Sequence, residues 1–211
     1  MATRSSQPRH TLSATAEDAV RQRIITESRR HFLAHGFRSV TMEDLARELA
    51  MSKKTLYACF QSKTALLEAV IHDKFHSIDA DLGRIASDAS SDCLDALHRL
   101  LSCVQGHAEE IRPPFVRDIR REAPHLFTVV ESRRRDVIQR HFGKVFLEGR
   151  RAGLLRRDIP PKLAIEILLG AVHAIMNPPK MEELGLTPKS GFSAIIRVVL
   201  EGLTTEKARS R

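Results

Sequence analysis

Residues 41–60, TMEDLARELAMSKKTLYACF, decide the fold of the N-terminal part of this chain. Thr41 is a residue type that caps helices, and Asp44 stands three residues later, where it can complete a capping box. Ser52 is a second N-cap candidate, so the chain must turn just before it and begin a new helix. Two short helices joined by such a turn are the helix-turn-helix arrangement, in which the second helix enters a groove of DNA.

Further helices on both sides complete a small bundle. The upstream segment RQRIITESRRHFLAHGF ends with Gly36, which suits the position just past a helix end. Downstream, Ser62 can cap a fourth helix. Apolar residues recur at helical spacing in all four segments and predict one shared core. The expected core residues are Ile24, Phe32, Phe37, Leu45, Leu49, Leu56, Phe60 and Leu66.

The distribution of charge favours a DNA-binding bundle over one that binds nothing. Residues 49–67 contain Lys53, Lys54 and Lys63 and no acidic residue. The acids Glu43, Asp44 and Glu48 belong to the preceding helix, which can turn them toward solvent. The whole chain has 34 lysines and arginines against 26 acids, a net charge of +8. This excess favours an anionic partner without identifying it.

Residues 21–71 resemble the N-terminal domain of the tetracycline-repressor (TetR) family of bacterial regulators. The segments IITESRRHFLAHGF, TMEDLARELAMSKKTLYACF and SKTALLEAVI follow the order and spacing of the family without a gap. Two positions depart from it. Ala50 stands where the family usually has glycine, the residue that most readily adopts a positive φ. Cys59 stands where an aromatic residue or histidine is frequent, so base preference cannot be copied from a relative.

The resemblance implies DNA contacts at particular positions. Lys54 and Thr55 are placed to reach base edges or phosphates, and Tyr57 resembles a family tyrosine whose hydroxyl meets the DNA backbone. Lys63 begins the fourth helix, where a cation and backbone N–H groups can both meet a phosphate. Lysines act mainly as point charges and so position the protein on DNA. The predicted DNA-binding residues are Thr41, Met42, Lys53, Lys54, Thr55, Tyr57, Ala58, Cys59 and Lys63.

The rest of the chain also has helical patterns and no alternating strand pattern, so the predicted fold class is all-α. Proline pairs at 113–114, 160–161 and 178–179 break or open helices. The expected helices are 63–86, 91–111, 115–122, 125–152, 161–176 and 189–204. We predict a disordered basic tail over residues 1–16, with Arg4 and Arg9, a helix-turn-helix domain over 17–75, and an effector-binding and dimerisation domain over 76–211.

Two C-terminal segments predict a homodimer. Residues 163–176 are apolar nearly all round, and residues 192–203 almost as much, so both helices need cover on several sides. Packing against a second copy as a four-helix bundle supplies this cover, as in TetR-like proteins, whereas a buried hairpin in a monomer is the alternative. A symmetric dimer would read a palindromic operator. The predicted interface residues are Leu163, Ile167, Leu168, Ala171, Ile175, Phe192, Ile195, Ile196 and Val199.

The resemblance also implies a small-molecule effector, bound in a cavity of the C-terminal helices and able to release the DNA. Only phenylalanine supplies aromatic surface in this region, which leaves apolar or acidic effectors open. Most of the candidate lining residues are equally compatible with an ordinary core. These candidates are Leu100, Val104, His107, Phe115, Phe127, Val130, Val137, Phe142 and His173.

The cysteines and the lack of apolar runs indicate a cytoplasmic protein. Three cysteines with no CxxC spacing fit a reducing compartment. No run of 18 apolar residues could cross a membrane, and the N-terminus does not resemble a signal peptide. Cys59 is either a thiol switch on the DNA face or, as we favour, a small residue tolerated there.

Other features leave alternatives open. The pairs His31/His35 and His72/His76 could each offer two metal ligands, but surface histidines are favoured because no further ligands stand near them in sequence, and we expect no metal or cofactor. The basic run 133–157 could attract an acidic effector, a partner or flanking DNA, although a solvated helix face is favoured.

The function that fits these features best is a dimeric repressor that a small molecule releases from its operator. Motifs of common enzymes, such as GxSxG, the P-loop, GxGxxG and HExxH, are absent from the sequence, so we predict no enzyme. One alternative is an architectural or cell-division DNA-binding protein with the same head and no effector. An RNA-binding protein is disfavoured because stacking aromatic residues are missing.

Overall fold

The computed structural model describes residues 10–88 and 92–206. Within these ranges the chain forms ten helices and no β-strand, so the predicted all-α fold class is confirmed. The helices are α1 (His10–His35), α2 (Met42–Glu48), α3 (Lys53–Cys59), α4 (Lys63–Ala86), α5 (Cys93–Glu109), α6 (Pro113–Glu122), α7 (Pro124–Arg151), α8 (Pro161–Ile175), α9 (Pro178–Glu183) and α10 (Pro188–Leu203).

The predicted proline breaks mark helix starts. Pro113, Pro161 and Pro178 each occupy the first turn of a helix, where a missing N–H costs nothing and the fixed φ is already helical. Helix α9 was not expected from the sequence. Its N-cap Asn177 accepts a hydrogen bond from the backbone N–H of Lys180, which allows a short helix to form directly after the proline pair.

The described residues divide into two compact units. The first contains the chain up to Lys74 together with Arg112–Leu126, and the second contains Phe75–Ile111 and the chain from Phe127 onward. Residues 1–9 of the predicted tail, with Arg4 and Arg9, lie outside the described residues, and α1 already begins at His10. The domain limits predicted from the sequence therefore stay predictions.

The core of the first unit is the one expected from helical periodicity. All eight predicted core residues are buried, from Ile24 on α1 to Leu66 on α4. Gly36 ends α1 with a φ of 90°, as its position predicted. Ser62 accepts a hydrogen bond from the N–H of Ala65 at 3.0 Å and so caps α4. These features end α1 and begin α4, the two helices that flank α2 and α3 in the chain.

The second unit has its own apolar core. Leu82 of α4, Leu97 of α5, Phe142 of α7 and Ile165 of α8 are all buried in it. Helix α10 packs against α8 and α5. Among the described residues, no helix is both long enough and apolar enough to cross a membrane.

Candidate nucleic-acid interface

Helices α2 and α3 begin where the sequence predicts. Thr41 caps α2 through its hydroxyl, which accepts a hydrogen bond from the N–H of Asp44 at 3.1 Å, and Asp44 returns the contact to complete the capping box. Ser52 caps α3 by accepting a hydrogen bond from the N–H of Thr55 at 3.0 Å. Between the helices, Ala50 has a φ of 51°. The turn therefore keeps the left-handed conformation that glycine would favour, at a position with a Cβ.

Helix α3 is held by one side and exposes the other. Leu56 is fully buried on the inner side, and Phe60 follows it into the core at the helix end. The opposite side holds most of the predicted DNA-binding residues. Cys59 lies half-buried at the edge of this side, and the exposed residues are Lys53, Lys54, Thr55, Tyr57 and Ala58. A seven-residue helix anchored in this way presents two turns of small and cationic side chains to a ligand.

Two arginines of α1, which were not predicted from the sequence, support α3 and the turn before it. Arg21 donates a hydrogen bond to the carbonyl of Cys59 at 2.7 Å, and its guanidinium lies 4.1 Å from the centre of the Phe60 ring. Arg23 donates to the carbonyl of Leu49 at the end of α2. A cation at a helix C-terminus stabilises the helix through its dipole. No sequence signal links residues this far apart.

The acids of α2 are exposed, as predicted, and each has a basic or hydroxyl partner. Glu43 pairs with Lys53 of α3 at 2.5 Å, and the hydrogen bond from Lys53 lowers the pKa of the Glu43 carboxyl. The Thr41 hydroxyl similarly lowers the pKa of Asp44, and Glu48 pairs with Arg30 of α1. One of the cations on the recognition helix is thus partly neutralised from the neighbouring helix.

Lys63 lies half-buried beside the turn between α1 and α2. Its Nζ donates to the carbonyl of Arg38 at 3.3 Å and lies 4.5 Å from the centre of the Phe37 ring. Burial lowers the pKa of Lys63, while the negative charge of Asp118 opposes this shift. The ammonium group can reach a phosphate only by leaving part of this environment.

Asp118 of α6 also belongs to this region and was not predicted from the sequence. Its side chain is buried and accepts a hydrogen bond from the backbone N–H of Arg38 at 2.9 Å. The same carboxylate lies 2.6 Å from where a Cβ on Gly36 would stand. Gly36 therefore serves two purposes, since it ends α1 and leaves space for this carboxylate. Asp118 follows Arg38 by 80 residues, so no local sequence pattern reveals this contact.

The two predicted residues that open α2 differ in exposure. Thr41 is exposed, whereas the side chain of Met42 is 4% exposed and belongs to the core. Any contact of Met42 with DNA would have to be made by its backbone N–H. That N–H is among the first of α2, where unpaired donors face outward.

The predicted effector-pocket residues do not all come together. Leu100, Val137 and Phe142 belong to the core of the second unit, with Val104 against it. Val130 and Phe127 are half-buried on α7, whereas His173 is exposed on α8. Phe115 belongs to the first unit, on α6. His107 is partly buried and faces Asp81 of α4.

A small apolar cavity is present in the second unit, with space for no more than a water-sized molecule. Phe142 is the one predicted pocket residue in its wall. The lining residues are Leu97, Leu101, Phe142, Phe146, Leu168, Ile196, Val199 and Leu200.

The predicted interface residues fall into three groups by exposure. Leu168, Phe192 and Ile195 are buried within the chain itself. Leu163 and Ile167 are about half exposed, at 50% and 51%. The remaining predicted residues are half-buried, namely Ala171, Ile175, Ile196 and Val199. Val198 of α10, which was not predicted, is 72% exposed.

The basic run 133–157 is largely engaged within the second unit. Arg134 pairs with Glu131, Arg140 with Asp79, and Arg156 with Asp158, and Arg135 lies 3.5 Å from Glu166. These pairs agree with the favoured interpretation of a solvated helix face.

The capped α2, the turn at Ala50 and the exposed face of α3 define a DNA-binding protein of the helix-turn-helix class. Residues 24–70 match the family described as bacterial regulatory proteins, tetR family. This match covers the helix-turn-helix segment of the first unit, and the proteins similar to the chain over most of its length are transcriptional regulators.

Relatives cover nearly the whole chain. The uncharacterized HTH-type transcriptional regulator YvaF of Bacillus subtilis (strain 168) is 23% identical over 188 residues, which are 88% of this chain and 96% of YvaF. The regulatory protein TetR from Rhodobacter sphaeroides has the same fold, with a TM-score of 0.69 and 19% identity over 88% of this chain and 99% of that one. SmeT, the repressor of the Stenotrophomonas maltophilia multidrug efflux pump SmeDEF, gives a TM-score of 0.65 and 17% identity over 91% of this chain and 94% of its own.

Proposed function

We propose that the chain is a dimeric repressor that binds a palindromic operator through α3 of each protomer and is released by a small-molecule effector. The observation that carries the DNA-binding part is the exposed side of α3. Lys54, Thr55 and Tyr57 stand out from a helix whose other side is fixed in the core by Leu56. This is the arrangement that allows a recognition helix to enter the major groove.

The proposed contacts divide by chemistry. Tyr57 and Lys63 would bind phosphate, and the backbone N–H groups at the start of α2, after Thr41, would bind a second phosphate. Lys54, Thr55, Ala58 and Cys59 face the bases. The exposed methyl group of Ala58 suits an apolar contact, such as a thymine methyl group.

The phosphate contacts can be tested separately from base recognition. Tyr57→Phe and Lys63→Ala should each weaken binding to every DNA sequence, because phosphate contacts carry no sequence information. Lys63→Ala should also reduce the slope of log K against log salt by about 1. Fluorescence anisotropy with specific and scrambled duplexes at several salt concentrations measures both effects.

A substitution at another exposed position of the same unit provides the control. Glu68→Ala, an exposed position of α4, keeps the fold and removes no proposed phosphate contact. Unchanged affinity in both Tyr57→Phe and Lys63→Ala would contradict the proposed phosphate roles.

Dimerisation is supported by the apolar side chains left exposed on α8 and α10. Leu163, Ile167 and Val198 are large apolar residues that the chain does not cover itself. A second copy would cover them with the same surface, as two-fold symmetry requires. The two recognition helices would then meet half-sites about 34 Å apart, one turn of DNA.

Release by an effector is supported by the relatives. SmeT has been solved as a complex with triclosan, a small molecule. An effector can release this chain from DNA only to the extent that it binds the released conformation more tightly. A screen of apolar and acidic compounds for loss of operator affinity tests this part. If the operator affinity does not respond to any compound and the sequence preference is weak, the architectural alternative is correct. DNA binding also implies that the protein acts in the cytoplasm.

A further inference from the structure

Three side chains with metal-ligating atoms meet in the second unit. They are Asp81 of α4 and Cys103 and His107 of α5, and one ligand atom of each lies within 4.8 Å of the others. All three are partly buried. Cys103 and His107 are four residues apart, so they lie on the same side of α5, and Asp81 faces them from the adjacent helix.

We propose that Asp81, Cys103 and His107 bind one zinc ion. A thiolate, an imidazole and a carboxylate form the mixed set of soft and borderline ligands that Zn²⁺ accepts in proteins. Tetrahedral coordination places ligand atoms about 2.0–2.3 Å from the metal, which separates them by roughly 3.5 Å from one another. The three atoms are already within reach of this arrangement after small side-chain rotations. A fourth position would be taken by water or by the effector.

The imidazole of His107 is oriented for this role. Its Nε2 lies 3.0 Å from the Asp81 carboxylate, and its Nδ1 lies 3.7 Å from the carboxylate of Glu110. A ligating histidine commonly donates its second ring N–H to a carboxylate, which fixes the tautomer and makes the other nitrogen a better donor. At 3.7 Å this contact is longer than a hydrogen bond, and a shift of less than about 1 Å of the exposed Glu110 side chain would close it. We assign Glu110 as a positioning residue on this basis, which leaves Nε2 of His107 to coordinate the ion.

The carboxylate of Asp81 also has a basic partner on its own helix. The second oxygen of Asp81 pairs with Arg84. The side chain of Arg84 is 79% exposed, so water can hydrate its guanidinium group if Asp81 turns toward a metal ion. The other cysteine of α5, Cys93, is a poor ligand by comparison. Burial raises the pKa of its thiol to about 11, and its Sγ donates to the carbonyl of Val145. Zinc binding requires the thiolate, which the raised pKa disfavours at Cys93, whereas the Sγ of Cys103 lies beside the other two ligand atoms.

No metal was expected from the sequence, because the histidine pairs His31/His35 and His72/His76 have no further ligands near them in sequence. The Cys103/His107 pair has the same spacing, but its third ligand stands 22 positions earlier in the chain. Only the packing of α4 against α5 brings that carboxylate to the pair. This proposal concerns the second unit alone and does not depend on DNA binding.

Cobalt is the direct probe, because Co²⁺ substitutes for zinc and a thiolate bound to it absorbs in the near ultraviolet. We expect the untagged, chelator-treated full chain to bind one equivalent of Co²⁺ with this absorption, and excess Zn²⁺ to abolish it. Cys103→Ser should remove the thiolate band. His107→Gln and Asp81→Asn should each lower the affinity for zinc by more than 10-fold. Glu110→Gln should lower it about 10- to 100-fold, as expected for the loss of a carboxylate behind a ligand.

Two controls separate this site from other possibilities. Cys93→Ser, on the same helix, should keep the band, and so should the double variant His72→Ala/His76→Ala. Circular dichroism of each variant without metal confirms that the fold is kept. Absence of a thiolate band in the unmodified chain, or its persistence in Cys103→Ser, would overturn the proposal.

Discussion

Ala50 has a backbone conformation that glycine adopts more readily than alanine does. The turn between α2 and α3 needs a left-handed residue, and the chain supplies that conformation without glycine. The side chain is exposed, so the cost is confined to the backbone and has no packing to offset it. None of the contacts described for the first unit involves the side chain of Ala50.

Replacing Ala50 by glycine should therefore stabilise the protein. Relief of left-handed strain is worth about 1–2 kcal/mol, and the greater freedom of glycine in the unfolded chain cancels part of it. We expect the free energy of unfolding to rise by about 0.5–1 kcal/mol in chemical denaturation. The matched change Ala58→Gly, at an exposed position inside α3, should lower it by about 0.5–1 kcal/mol. A decrease for Ala50→Gly would show that the turn is not strained.

At the scale of elements, the ion pair between α2 and α3 sets how much positive charge the recognition helix offers. Glu43 holds Lys53 at 2.5 Å across the two helices. Both side chains are about half exposed, so the pair contributes little to stability. Its main effect is to lower the positive electrostatic potential that α3 offers to DNA.

Glu43→Gln should release Lys53 and increase affinity for any DNA duplex. If Lys53 then contacts one more phosphate, the slope of log K against log salt should steepen by about 0.9. Glu48→Gln is the control, because Glu48 pairs with Arg30 of α1 and not with the recognition helix. Equal effects of the two changes on the salt slope would mean that Lys53 is not involved.

A buried hydrogen bond joins α6 to the turn after α1. Asp118 is buried and satisfies the N–H of Arg38, so its loss leaves a backbone donor without its acceptor. Asp118→Ala should lower the free energy of unfolding by about 1–3 kcal/mol. Asp118→Asn keeps an acceptor oxygen and should cost less.

Glu122, exposed at the end of the same helix, provides the comparison. Glu122→Ala should change stability by less than about 0.5 kcal/mol. If Asp118→Ala is as mild as Glu122→Ala in the same denaturation experiment, the hydrogen bond to Arg38 does not stabilise the first unit.

For the whole molecule, the proposed dimer depends on residues that the chain leaves uncovered. Ile167 is 51% exposed on α8, and α8 packs on α10. A carboxylate there would be buried without a partner in a dimer, yet solvated in a monomer. Ile167→Asp should therefore produce monomers in analytical ultracentrifugation and keep the helical content.

Leu147 of α7 is a matched apolar residue, 50% exposed and outside the predicted interface. Leu147→Asp should leave the oligomeric state unchanged. Dimers that survive Ile167→Asp, or monomers caused by Leu147→Asp, would place the interface elsewhere.

The sequence alone determined the helix-turn-helix unit, because its information is local. Capping pairs such as Thr41 with Asp44 act over three residues, and the buried positions from Ile24 to Leu66 follow one helical period. The all-α class follows from the same periodicity, and both predictions are confirmed. Helix α9 escaped detection because its proline pair reads equally well as a break or a start.

Tertiary structure decided what distant residues do to one another. Arg21 supports the end of α3, Asp118 holds the turn at Arg38, and Asp81 joins Cys103 and His107. Each contact joins segments separated by 20 to 80 residues, and side-chain chemistry gives no rule for pairing across such separations. Packing also divided the apolar positions of α8 and α10 into buried and exposed sets. The sequence alone could not show this division, because these helices are apolar on nearly every side.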